Sequence, residues 1–135
     1  MIQDELSEKI IACAYKVFNT LGYGFLEKIY ENAMAIEFRK LDFEFKQQHP
    51  IEVYYEEENI GDFTADFFVE NRMMIELKST ASFIKKHEVQ LVNYLCATHQ
   101  PVGLLINFGP DGVEVKRKYK DYIRQDRHDL QNKKI

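Results

Sequence analysis

The chain reads as an α/β (α+β) fold, a mixed β-sheet flanked by helices in the order α-α-β-β-β-β-α-β-β. Three observations lead there. Two amphipathic helical stretches open the chain, alternating strand-like segments separated by turns fill its middle, and a third helical stretch precedes a continuous apolar run. Helices alternating with strands in this way pack as layers around a sheet.

Leu6, Ile10, Cys13, Ala14, Val17, Phe18 and Leu21 recur at helical spacing, so residues near 4 to 21 form the first helix. Gly22-Tyr23-Gly24 stops it. A second helix is expected from about Leu26 to Leu41, with Ile29, Tyr30, Ala33 and Ile36 inward. Phe43 to Gln47 and Ile51 to Tyr55 alternate apolar and polar residues on either side of Pro50, and predict two strands. Glu56-Glu57-Glu58 and Asn59 form the next turn. Residues 62 to 69 and 73 to 78 are strands around Glu70-Asn71-Arg72, and a third helix runs from about Phe83 to Thr98. Val102 to Phe108 reads as a buried strand, Gly109 to Gly112 as a turn, and Val113 to Lys118 as the last strand.

At 135 residues, with 45% apolar content, the chain suits one domain spanning 1–135. No apolar run approaches the roughly 18 residues of a spanning helix. Asp4, Glu5 and Glu8 stand where a signal peptide carries basic residues, so a cytoplasmic protein is expected. Cys13 and Cys96 lie far apart in helical patterns and belong to no Cys/His cluster, which argues against zinc and for buried thiols. The net charge is −4, unevenly spread. Residues 116–135 hold eight Lys/Arg against three Asp, while the first 115 residues hold ten basic against nineteen acidic. That basic C-terminal segment can touch phosphates or serve as a solvated tail.

The chemistry concentrates in the hairpin at 62–78. Alternation places Phe63, Ala65, Phe67 and Val69 on one face, continued by Met73, Ile75 and Leu77, and this face is expected to be core. Asp62, Thr64 and Asp66, then Glu76 and Lys78, take the other face. If the hairpin closes symmetrically about Asn71, Asp66 faces Glu76 with Cβ atoms roughly 5 Å apart. Two facing carboxylates repel unless a cation or a shared proton relieves them. Mg²⁺ is a natural reliever because it takes oxygen ligands and keeps waters for chemistry. Lys78 emerges on the same face, where an ammonium can orient or deprotonate water or steady charge on a phosphate. Against this stands the ordinary alternative: amphipathic hairpins often expose charge, and a lone Glu-x-Lys arises by chance.

Gln90 and Tyr94 lie four residues apart on one helix face, where Gln can bind water or phosphate and Tyr can stack on nucleic acid. Glu27, in the first turn of the second helix, either complements the helix dipole or adds a carboxylate to the site.

Gly24-Phe25-Leu26-Glu27-Lys28-Ile29-Tyr30 resembles the signature of the GxxExxY proteins, a prokaryotic family of the PD-(D/E)XK nuclease superfamily. The resemblance extends from the first helix to the strand ending near Lys118. It includes Ala65-Asp66-Phe67, Ile75-Glu76-Leu77-Lys78-Ser79, and Gln90 with Tyr94, which is similar to the extra motif of RecB-like members. The Pro of the superfamily's name is absent, since Ala65 precedes Asp66.

The resemblance implies a restriction-endonuclease-like core with helices on both sides of a mixed sheet. It implies Mg²⁺ or Mn²⁺ held by Asp66 and Glu76, with Glu27 completing the metal site. It also implies Lys78 assisting the attacking water, and Gln90 and Tyr94 facing the site. The function expected is a metal-dependent nuclease hydrolysing phosphodiester bonds of nucleic acid, with DNA as substrate. The alternative is a catalytically inactive nuclease-fold protein that binds nucleic acid or acts through a partner. A third idea is a small scaffold or homodimer.

Overall fold

A computed structural model describes residues 3–120. Helices α1 (Gln3–Leu21) and α2 (Glu27–Lys40) precede strands β1 (Phe45–Tyr55), β2 (Glu58–Val69) and β3 (Met73–Lys78). Helix α3 (Lys85–Thr98) then leads to β4 (Val102–Gly109) and β5 (Gly112–Tyr119). The five strands lie side by side in chain order. All neighbours are antiparallel except β3 and β4, which run parallel. A parallel pair needs a crossover, and α3 is that crossover.

The mixed sheet between helical layers agrees with the sequence expectation, with one difference in strand count. The segments expected as separate strands at 43–47 and 51–55 are one strand, β1. Pro50 does not divide it. β1 has a ladder neighbour on one side only, and such an edge strand tolerates a residue without an N–H. The acidic turn is a two-residue loop, Glu56-Glu57, with both φ positive at 49° and 69°, and it closes the β1–β2 hairpin as a type I′ turn closes one.

Two cores sandwich the sheet. On one side α1 and α2 bring Leu6, Ile10, Met34 and Phe38 against Phe67, Ile75, Leu104 and Phe108. On the other, Leu91 and Leu95 of α3 pack on Phe68, Met74 and Leu105. The expected face of α1 is buried at Leu6, Ile10, Cys13, Ala14 and Val17. That of α2 is rotated. Tyr30, Glu31, Met34, Ala35 and Phe38 point inward, while Ile29 and Ile36 are exposed. Apolar residues surround much of this helix, and docking selected the phase that buries the larger Phe38 and Met34. Both cysteines are buried thiols, as expected, and burial pushes the Cys13 thiol up to about 11.

Gly103 sets how closely α3 approaches the sheet. A Cβ there would meet the Met74 carbonyl oxygen at 3.0 Å, Leu91 at 3.2 Å and Leu95 at 3.3 Å. The carbonyl belongs to the β3–β4 ladder and cannot easily withdraw. Gly103→Ala should therefore destabilise the fold by about 1–3 kcal/mol despite the lower entropy of the unfolded alanine chain. Urea unfolding checks this, and a stability equal to wild type would show that α3 is free to shift.

Candidate active site

The β2–β3 hairpin closes in the expected register, with Val69 opposite Met73, Phe68 opposite Met74 and Phe67 opposite Ile75. The next step brings Asp66 to Glu76, and there side chains take over from the backbone ladder. Leu77 N–H donates to Asp66 Oδ2 at 2.7 Å, and Asp66 N–H donates to Glu76 Oε1 at 3.2 Å. Each carboxylate thus satisfies a backbone donor of the opposite strand where the two strands part.

The other neighbour of β2 is irregular at the same level. Gln48 lies between the pairs Gln47–Phe67 and His49–Ala65 and has φ 54°, outside the extended region. Its amide donates to Asp66 Oδ1 at 3.2 Å and to Glu31 Oε1 at 2.7 Å, and its oxygen accepts from the Thr64 hydroxyl at 3.0 Å.

The strand reverses its facing here, which corrects the expectation of a single apolar face. Phe67 and Val69 enter the core under α1 and α2, whereas Ala65 enters the core under α3. Phe63 remains 45% exposed, beside Tyr94. Strict alternation assumes an unbroken extended strand, and the irregularity at Gln48 and Asp66 breaks it.

Electrostatics ties the remaining candidates to this point. Burial, then the Asp66 charge, pushes Glu76 up to about 8, against the Asp66 N–H and Lys78, which lower it. Burial also raises Asp66; the Leu77 N–H, Gln48 and Lys78 oppose that rise and Glu31 adds to it. Glu27, in the first turn of α2, is raised by the protein packed around its carboxyl; Lys78 counters this, and Asp66 and Glu31 reinforce it. Tyr94 is pushed up to about 12 by burial and by the charges of Glu76 and Asp66. Lys78 is therefore the cation common to Glu27, Asp66 and Glu76.

Asp66 and Glu76 meet directly, Lys78 and Glu27 are coupled to them through charge, and Tyr94 feels the charges of both. Gln90 shares a cavity wall with Tyr94 one turn along α3. Among the described residues no three His, Cys, Asp or Glu side chains form a group preset to hold a metal ion.

Several supporting residues escaped the sequence reading. Glu31 is buried, paired with Lys28 at 2.9 Å and hydrogen-bonded by Gln47 and Gln48. Its place one turn after Glu27 was the available signal. Asn107, fully buried within the apolar run of β4, holds Thr80 through three hydrogen bonds of 2.9–3.2 Å and Glu114 through a fourth. That fixes the turn following Lys78.

The Gly24–Tyr30 segment also has a structural meaning. Gly24 sits at φ 112°, where a side chain is strained. Tyr30 stacks on Phe108 at 4.3 Å; its hydroxyl donates to the Gly22 carbonyl and accepts the Phe25 N–H at 3.4 Å. Ser79, just past β3, donates to the Phe25 carbonyl at 2.8 Å. These ties present Glu27 to the end of β3.

The family model of the PD-(D/E)XK nuclease superfamily matches residues 4–119. The chain belongs to that superfamily. The solved structure of SSO0001 superposes with a TM-score of 0.55 at 19% identity, covering 96% of this chain and 66% of that one. An alkaline exonuclease (LHK-Exo) from Laribacter hongkongensis superposes with a TM-score of 0.55 at 11% identity, covering 78% of this chain and 61% of that one. This chain thus spans just under two thirds of either protein. At these identities the likeness is one of fold, and it agrees with the restriction-endonuclease-like architecture expected for the PD-(D/E)XK superfamily. No curated protein matches the chain.

Two outcomes follow. Glu76 holds its proton to about pH 8 when folded but only to about 4.5 when unfolded. The stability tied to the neutral carboxyl is therefore complete below about pH 4.5 and is lost as pH rises toward 8. In chelator, Glu76→Gln should be more stable than wild type at pH 8 by up to a few kcal/mol, and nearly equal at pH 4.5. Urea titrations at both pH values measure this, and a pH-independent difference would contradict it. Tyr30→Phe should cost about 1 kcal/mol by losing the hydroxyl that ties Gly22 and Phe25. Thermal melts would show it, and an unchanged Tm would mean the loop is held by Ser79 alone.

Proposed function

We propose that the protein is a metal-dependent nuclease that hydrolyses phosphodiester bonds, with DNA as its substrate. The observation that carries this reading is the convergence of Asp66 and Glu76, with Lys78 as their shared counter-charge. At neutral pH the proton on Glu76 relieves the pair, and a divalent cation would displace that proton and let both carboxylates ionise side by side.

The donor set fits a hard divalent ion. Asp66 and Glu76 would hold Mg²⁺ or Mn²⁺ through carboxylate oxygens, with Glu27 contributing from α2. Such an ion, when bound, polarises the phosphoryl group and offsets the charge that builds on it. Lys78 orients the attacking water and stabilises negative charge on the phosphate oxygens through its ammonium. Tyr94, pushed up to about 12, keeps its proton at neutral pH and serves as a hydrogen-bond donor. Gln90, one turn before it, offers an amide to the strand.

A second reading, a nucleic-acid-binding or accessory module without catalysis, draws support from the charge distribution. The protein is acidic overall, and Lys116 and Lys118 of β5 are paired with Glu88 at 3.0 and 3.2 Å instead of facing solvent alone. The part of the basic C-terminal segment beyond Lys120 lies outside the described residues.

The deciding experiment incubates the protein with single- and double-stranded DNA and RNA in Mg²⁺ or Mn²⁺. Wild type should cleave DNA, while Glu76→Ala and Lys78→Ala should each lose at least about 100-fold in rate. Binding of DNA without cleavage, unaffected by Asp66→Ala, would establish the accessory reading instead. Because Glu76 must release its proton to bind a cation, Mn²⁺ affinity should rise with pH up to about 8. Calorimetric titration at pH 6 and 8 measures this, and equal affinities would remove Glu76 from the ligand set.

A further inference from the structure

Next to the carboxylates, across the Tyr94 ring, lies a cavity of about 420 Å³ lined by Val53, Phe63, Lys86, Val89, Gln90 and Tyr94, among others. Its size falls within the range of small-ligand sites. The wall is mainly apolar and aromatic, with Lys86 as its cation. Phe63 and Tyr94 have ring centroids 5.5 Å apart with planes tilted by 40°. Tyr94 is buried, but Phe63 leaves 45% of its surface open. Phe63 precedes Asp66 by three residues on β2, about 10 Å along a strand, so one nucleic-acid strand can reach both.

The surroundings suit an unpaired strand better than a duplex. Duplex binding is governed by Lys and Arg contacts to phosphates. Among the described residues, Lys28, Lys116 and Lys118 are engaged by Glu31 and Glu88, while Lys78 stands at the carboxylates and Lys86 on the cavity wall. A single strand offers flat base faces, and stacking on an aromatic side chain contributes about 1–3 kcal/mol per base. A base within a duplex must first be unpaired, unstacked and flipped out before it can stack on a side chain.

We infer that the substrate of this site is an unpaired nucleic-acid strand, with a base near the attacked phosphate stacked on Phe63 in the cavity and Lys86 on the adjoining backbone. The inference rests on the nuclease reading for the attacked phosphate, but the cavity is testable by binding alone.

The test measures fluorescence anisotropy of a labelled strand of about a dozen nucleotides, single or annealed to its complement, with the full chain in chelator at low salt. Single strand should bind more tightly than duplex. Phe63→Ala should weaken single-strand binding by about tenfold to a hundredfold, and Phe63→Tyr should retain it. One abasic position moved along the strand should weaken binding to wild type at one or two places only. At those places Phe63→Ala should add no further loss, because both changes remove the same contact. Tighter binding of duplex, no binding of single strand, or an abasic effect uniform along the strand would each overturn the inference. The abasic scan on wild type decides the matter even if Phe63→Ala fails to fold. Cleavage in Mn²⁺ combined with Phe63-independent binding would overturn the cavity and leave the nuclease reading standing. Phe63-dependent binding without cleavage in either metal would do the reverse.

Discussion

Where β2 and β3 part, the backbone donors of Asp66 and Leu77 would lose their ladder partners. Two carboxylates take those places, each accepting an N–H from the opposite strand. An orphaned buried N–H costs about 1–3 kcal/mol, so the exchange keeps the hairpin intact while opening it. The consequence is two acidic groups brought close together in a largely buried setting. Both are pushed toward their neutral forms, and a few backbone and side-chain donors only partly counter that push.

Much of the surrounding structure holds this junction in place. Gln48 leaves the extended region to reach Asp66 and Glu31 together. Asn107 fixes the turn after Lys78 from the neighbouring strand. The loop before α2 is tied by Tyr30 from one side and by Ser79 from the other, which brings Glu27 to the end of β3. Individually such neutral hydrogen bonds contribute about 1 kcal/mol. Together they restrict the motion of groups whose mutual repulsion would otherwise separate them. The result is an acidic cluster whose side chains are held in place from several directions.

Superfamily membership and two solved folds at 19% and 11% identity establish the scaffold, while the chemistry must be argued from side chains. Here the side chains form two adjoining environments. One is acidic, built on Asp66 and Glu76; the other is mainly apolar and aromatic, lined by Phe63 and Tyr94. Tyr94 belongs to both, since it lines the cavity and its hydroxyl proton is held by burial and by the charges of Glu76 and Asp66. Nucleic acid has the same duality, with a charged backbone and stacking bases.

The sequence determined the helices, most of the sheet segments and the meeting of Asp66 with Glu76 because each leaves a local mark. Helical spacing located α1, and alternation located the strands. The number arithmetic of a symmetric hairpin placed Asp66 against Glu76, and the Gly24–Tyr30 signature marked the start of α2. Short-range periodicity carries this information because it is the periodicity of the backbone itself. Tertiary structure alone decided what depends on distant segments. Gln48 reaches Asp66 across 18 residues, Asn107 reaches Thr80 across 27, and Ser79 reaches Phe25 across 54. It also decided which face of α2 turns inward, that β1 runs unbroken through Pro50, and that β2 reverses its facing at Asp66. In each of these the outcome followed from packing and from satisfying buried polar groups across the sheet, and neither leaves a period in the chain.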